Sequence, residues 1–276
     1  MVKTKPRFAV FFALLLLTVG TGVAANVAIA DTEVPPPPDV SGIPADAEVT
    51  DSGLASRVLT EPEEVVEGAR VQDWVIIRYH SWTTDGEVFD SSIARKQALK
   101  TPVSLLVPGL REALGMMSPG EKRRLWIPGE LAYKGSEGKP QGMLVFDLEL
   151  ARTLRHPDTP NDVAAPPAGA EVLKNGLASK VLAAGTGTRQ PKPRDTVVVH
   201  YSGWTTDGEM FDSSVLKGEP AEFPLNAVIK GWTIGLGLMV EGEKRRLWIP
   251  EKLAYRGQEG KPQGMLIFDV ELIEIK

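Results

Sequence analysis

Residues 201–214 read Tyr-Ser-Gly-Trp-Thr-Thr-Asp-Gly-Glu-Met-Phe-Asp-Ser-Ser, and residues 79–92 read Tyr-His-Ser-Trp-Thr-Thr-Asp-Gly-Glu-Val-Phe-Asp-Ser-Ser. The two stretches lie 122 positions apart. The same offset relates Gly-Glu-Lys-Arg-Arg-Leu-Trp-Ile-Pro ending at Pro128 to its copy ending at Pro250, and Glu-Gly-Lys-Pro-Gln-Gly-Met-Leu beginning at Glu137 to its copy beginning at Glu259. A repeat this long is a duplicated domain rather than a solenoid unit. Upstream, Gly53-Leu54-Ala55-Ser56 matches Gly176-Leu177-Ala178-Ser179 at an offset of 123, so one residue was gained or lost between the blocks. The expected organisation is one domain over 48–154 and a second over 169–276, with Pro-rich linkers over 31–47 and 155–168.

Within each copy the pattern is mostly β with one short helix. Thr196-Val197-Val198-Val199-His200-Tyr201 is rich in β-branched residues, and Leu266, Phe268, Val270 and Leu272 alternate with Ile267, Asp269, Glu271 and Ile273. Trp232, Leu236 and Met239 recur at i, i+4 and i+7, one face of a helix of about two turns. Gly235 and Gly237 weaken that helix by about 1 kcal/mol each relative to Ala, so it needs a sheet to lie on. The expected fold class is α+β, a curved antiparallel sheet wrapped around a single short helix in each domain.

The chain of 276 residues carries 31 Lys+Arg against 36 Asp+Glu, a net charge of −5, with no basic stripe of the kind nucleic-acid binding needs. It has no Cys, which excludes disulfides, thiol nucleophiles and thiolate metal sites. Its three His (His80, His156 and His200) form no cluster with metal-ligand spacing, and neither a metal nor another cofactor is expected. Lys122-Arg123-Arg124 and Lys244-Arg245-Arg246 read as solvated strand faces, because three adjacent strand residues cannot all point the same way.

Lys3, Lys5 and Arg7 precede the apolar run Phe8 to Val19, and small residues follow as Val23-Ala24-Ala25 and Ala28-Ile29-Ala30. Residues 1–30 read as a cleavable secretory signal, placing the protein in the periplasm or cell envelope. The rival reading is an uncleaved anchor, in which case the membrane is met only through this segment. Removing residues 1–30 takes away three positive and no negative side chains, leaving 28 against 36, a net charge of −8.

Five ordered motifs in the second copy resemble the FKBP-type peptidyl-prolyl isomerases, a family that binds macrolides, and the resemblance covers both copies nearly end to end. They are Val199-His200-Tyr201-Ser202-Gly203-Trp204, Asp207 to Ser214, Val228-Ile229-Lys230-Gly231-Trp232, Leu253-Ala254-Tyr255 and Leu266 to Leu272. The resemblance implies that Tyr201, Phe211 and Phe268 are walls of a prolyl pocket, Trp232 its floor, Asp212 a buried polar wall residue and Tyr255 a hydroxyl donor. Val228-Ile229 would supply a backbone amide to a substrate carbonyl. In the first copy the corresponding residues are Tyr79, Phe89, Asp90, Val107, Leu110, Tyr133 and Phe146, a weaker substrate-binding set in which Leu110 replaces Trp232, Thr101 replaces Phe223 and Pro108 replaces Lys230. Each residue also has a plainer reading. Trp232, Tyr201 and Phe268 suit a core, Asp212 suits a turn, and Tyr255 suits a surface.

The implied function is peptidyl-prolyl cis-trans isomerisation assisting the folding of exported proteins, with catalysis mainly in the second domain. The implied partners are Pro-containing unfolded or nascent exported polypeptides, with macrolide inhibitors as a further ligand class. The competing reading is a cell-envelope chaperone or scaffold that binds Pro-containing segments with little turnover. Two departures from the family bear on ligands: Lys261-Pro262-Gln263-Gly264 stands where family members carry an apolar flap tip, and Ala221 occupies a site that is often aromatic, with Phe223 nearby.

Overall fold

The computed structural model describes residues 34–276; the expected signal segment over 1–30 lies outside the described residues. Two seven-stranded antiparallel sheets follow one another along the chain. The first contains β1 (Glu48–Val49), β2 (Ala55–Thr60), β3 (Trp74–Thr83), β4 (Val88–Ser91), β5 (Leu99–Pro102), β6 (Lys122–Ile127) and β7 (Leu144–Leu154) in the order β1-β2-β6-β7-β3-β4, with β5 also pairing β3. The second contains β8 (Glu171–Val172), β9 (Ala178–Ala183), β10 (Thr196–Thr205), β11 (Met210–Ser213), β12 (Ala221–Pro224), β13 (Lys244–Ile249) and β14 (Leu266–Ile275) in the order β11-β10-β14-β13-β9-β8, with β12 pairing β10. Helix α1 (Pro108–Met116) lies on the first sheet and α3 (Lys230–Leu236) on the second; a one-turn helix, α2 (Ser214–Lys217), follows β11 and adds to the single helix expected there.

The inner face of each sheet buries its helix. In the second domain Val197, Val199, Leu247, Ile249, Leu266, Phe268, Val270 and Leu272 meet Trp232 and Leu236 of α3. The glycines of α3 do more than weaken it. A Cβ at Gly231 would sit 2.3 Å from Ile249 Cγ2, and one at Gly235 would sit 2.5 Å from Leu247 Cδ1, so both permit the helix to approach the sheet. In α1 the equivalent positions are Gly109, whose Cβ would lie 2.4 Å from Ile127 Cγ2, and Ala113.

Part of the outer face is also buried, against expectation. Ile267, which alternation places toward solvent, joins Ala178, Trp204, Trp248 and Val163 in a second apolar cluster; Ala55, Trp82, Trp126 and Val145 form its counterpart in the first domain. The covering layer comes from the Pro-rich segments. Trp126 Nε1 donates to Asp39 O at 2.9 Å, and Trp248 Nε1 to Asp162 O at 2.9 Å. Over their described parts these segments are packed straps rather than free linkers, because each caps two indoles and two smaller apolar side chains that would otherwise face water.

The basic runs are likewise not solvated faces. Arg246 makes a two-pronged pair with Asp269 at 2.5 and 2.8 Å and also bonds Asp162; Arg124 pairs with Asp147 at 2.7 and 3.0 Å and reaches Asp39 at 2.8 Å. Arg245 is only 8% exposed, held by Glu243 at 2.6 Å and Ser179 Oγ at 3.0 Å. Guanidinium forks tie strap to sheet through carboxylates far away in sequence.

Candidate active site

Strand β10 sets Tyr201 and Gly203 on the inner face, β11 brings Phe211 and Asp212 beside them, β14 contributes Phe268, and the loop before α3 contributes Val228 and Ile229. With Trp232 from α3 and Tyr255 from the segment after β13, all of these except Gly203 line one cavity of about 280 Å³. Phe223 and Ala227 complete it. Phe223 was read in the sequence as a neighbour of Ala221 and as the aromatic that Thr101 replaces in the first copy, whereas Ala227 carried no signal of its own.

Trp232 is 4% exposed and organises the cup. Its ring meets Tyr201 at 5.0 Å, Phe268 at 5.4 Å and Phe223 at 5.7 Å, all edge-to-face, and Phe211 packs edge-on against Phe268 at 5.5 Å. This is the geometry aromatic quadrupoles favour. Its indole Nε1 is buried with no hydrogen-bond partner among the described residues.

Polar groups sit on the rim. Tyr201 Oη donates to Asp212 Oδ2 at 2.6 Å, and Lys217 Nζ pairs with Asp212 Oδ1 at 2.6 Å while lying 5.7 Å from the Tyr201 ring centre. Asp212 is not the buried wall residue expected: 38% of its side chain is exposed, because its partner Lys217 reaches in from solvent. Burial, together with the Asp212 bond and charge, pushes the Tyr201 phenol well up; burial and the Asp212 charge raise Tyr255 too. Both phenols therefore remain protonated donors at neutral pH. Lys217 was missed in the sequence, where only its place five residues after Asp212 could have marked it.

The first domain arranges the corresponding residues differently. Tyr79 Oη donates to Asp90 Oδ2 at 2.6 Å, with Arg95 in the place of Lys217, and burial with the Asp90 bond pushes the Tyr79 phenol up to about 12. Tyr79, Leu110, Phe146, Val107 and Tyr133 all belong to the inner apolar cluster. Phe89, however, stacks edge-on against Tyr133 at 5.7 Å, closing two walls onto each other. Position 81 explains much of this. A Cβ at Gly203 would lie 2.7 Å from both Phe211 Cζ and Phe268 Cε1, so Gly makes room for their edge contact; Ser81 fills that space in the first domain and bonds the Asp90 backbone.

An aromatic cup on a sheet wrapped around one short helix, rimmed by a Tyr–Asp–cation cluster, makes a small apolar pocket with hydrogen-bonding groups at its mouth. Residues 66–151 and 187–273 match the family model for FKBP-type peptidyl-prolyl cis-trans isomerases. The chain belongs to that family, once in each half. The FKBP-type isomerase FkpA of Aeromonas hydrophila is 49% identical over 112 residues, covering 39% of this chain and 41% of that protein. The 22 kDa FKBP-type isomerase of Escherichia coli is 47% identical over 112 residues, covering 39% of this chain and 53% of the relative. The crystal structure of FkpA from Escherichia coli is 45% identical over 40% of this chain and 53% of that chain, with a TM-score of 0.38. The chain thus spans about half or less of the length of these relatives.

Proposed function

We propose that the chain is an exported peptidyl-prolyl cis-trans isomerase acting on Pro-containing segments of unfolded or nascent polypeptides, with turnover concentrated in the second domain. The observation that carries this reading is the cavity built around Trp232, which has the size and apolarity for a prolyl ring. Export rests on residues 1–30, and the domain limits 48–154 and 169–276 are part of the same reading.

Twisting an X-Pro imide out of plane faces a barrier of about 18–20 kcal/mol and breaks no covalent bond. The cup takes the prolyl ring onto the Trp232 floor between Tyr201, Phe211 and Phe268. There the planar, charge-separated imide loses water and the twisted form loses little. The Ile229 N–H, at the N-cap of α3, and the Tyr255 hydroxyl hold carbonyls of the bent substrate backbone. No proton is transferred. Macrolides would enter the same cup, with the short Lys261-Pro262-Gln263-Gly264 segment offering them little apolar cover.

The Phe89–Tyr133 contact favours a second role for the first domain, that of a binding module with little turnover. The test is isomerisation of an X-Pro peptide by the full chain between about pH 6 and 8. The raised Tyr201 and Tyr255 phenols keep their protons throughout, so kcat/KM is expected to be flat. A slope traced to His200, which bonds Ser214 Oγ and lines no part of the cup, would contradict the mechanism. Absence of any acceleration would overturn the function.

A further inference from the structure

The rim of the second-domain cup is held in part from outside its own domain. Lys217, whose ammonium pairs with Asp212 and donates to Tyr201 Oη at 3.3 Å, is the last residue of α2. A single turn of helix has no stability of its own. Within the domain α2 is fixed at its start by the Ser213 hydroxyl, which accepts from Leu216 N, and by the buried Ser214 hydroxyl, which accepts from Tyr201 N at 2.8 Å; at its end the Gly218 N–H donates to Ser214 O and Val215 O. Its C-terminal carbonyls point away and would be left to water.

Those carbonyls are taken by cations of the first domain. Lys100 Nζ, on β5, donates to Lys217 O at 2.6 Å, and Arg152, on β7, donates to Gly218 O at 3.1 Å. Leu154, at the end of β7, closes the contact: a Cβ on Gly218 would lie 3.4 Å from both of its δ carbons. Gly218 has φ +90°, so this position needs glycine for its backbone.

We infer that the first domain is a positioning partner for the second-domain pocket: Lys100 and Arg152 clamp α2 and thereby fix the Lys217 ammonium on the Tyr201–Asp212 wall. Lys100 and Arg152 touch no substrate and act through Lys217. The inference rests on the prolyl-isomerase reading for its catalytic consequence but not for the clamp itself. It gives the first domain a task that its Leu110 floor does not require it to perform by turnover.

The experiment uses the full chain carrying Lys100→Ala and Arg152→Ala together, checked for native circular dichroism. Two quantities are read: amide hydrogen exchange of residues 214–218, and kcat/KM on one X-Pro peptide. The clamp requires faster exchange in α2 and a loss of about threefold or more in kcat/KM. The Lys100→Arg, Arg152→Lys chain should keep most of both. In a Lys217→Met background, removing Lys100 and Arg152 should cost no further activity, because the path runs through Lys217. Unchanged exchange at 214–218 overturns the inference whatever the activity, and so does a loss that simply adds to that of Lys217→Met. A wild-type chain without isomerase activity would instead defeat the functional reading, and the exchange measurement would still decide the clamp.

Discussion

Trp232 and Leu110 stand at the same place on equivalent helices, and the two cups differ in proportion. The indole touches three other rings, whereas around Leu110 the walls Phe89 and Tyr133 meet each other. Gly203 and Ser81 make the second difference, one that the sequence displays inside its most obvious repeat but whose meaning depends on which rings lie opposite. Gly203→Ser should push Phe211 or Phe268 aside, as overpacking of this kind costs about 1–3 kcal/mol. Where that cost falls on the transition state, with about 1.4 kcal/mol being tenfold in rate, kcat/KM is expected to fall by about fivefold or more with the fold retained. Peptide kinetics alongside a melting curve would check it, and a full-rate Gly203→Ser chain would show that the Phe211–Phe268 contact is incidental.

At the scale of elements, α3 was legible from Trp232 and Leu236, although it ends at Leu236 and leaves Met239, expected on the same helical face, beyond its C-terminus; the strands were legible from their alternation. The glycines were legible only as a weakness, because a sequence does not show what a missing Cβ leaves room for. Gly231→Ala places a methyl group 2.3 Å from Ile249 Cγ2, where both domains keep Gly, and is expected to destabilise by about 1–3 kcal/mol. Gly235→Ala faces a movable Leu247 δ carbon and gains helix propensity of about 1 kcal/mol; Ala113 occupies that place in the first domain, so little net change is expected. Denaturant unfolding of the two variants separates them, and equal losses would contradict this reading of the helix seat. The straps escaped the sequence reading because proline content marks extended backbone, not what it lies on. The signal was present, however: Asp39-Val40 and Ala47-Glu48-Val49 recur as Asp162-Val163 and Ala170-Glu171-Val172 at the offset of 123. The guanidinium pairs were not legible, since Arg124 and Asp39 are 85 residues apart.

Across the whole molecule, Asp73 ties the junction between the domains to the first sheet. Its buried carboxylate accepts from His156 N at 2.8 Å, Arg70 N at 2.9 Å and Arg155 Nη1 at 2.8 Å. Burial alone would raise its pKa; these bonds outweigh it and hold the carboxyl below its ordinary value. A depressed carboxylate adds stability that is present above the unfolded value of about 3.9 and is lost as pH falls through the lower folded value. Asp73→Asn should therefore cost about 2–3 kcal/mol at pH 7, with the gap to wild type shrinking below about pH 4. Denaturation at pH 7 and pH 3 reads this directly, and a gap that does not shrink would assign the cost to something other than the charge.

The central claim is that prolyl isomerisation is carried by the floor of the second-domain cup. The measurement that tests it most directly is kcat/KM of the full chain on one X-Pro peptide, with and without Trp232→Leu, the residue the first domain already accommodates at Leu110. Losing the indole platform should lower the rate at least tenfold, equivalent to about 1.4 kcal/mol of stabilisation of the twisted imide, while circular dichroism and melting remain near wild type. An unchanged rate in a folded Trp232→Leu chain would contradict the claim and move the activity to the first domain or to another surface.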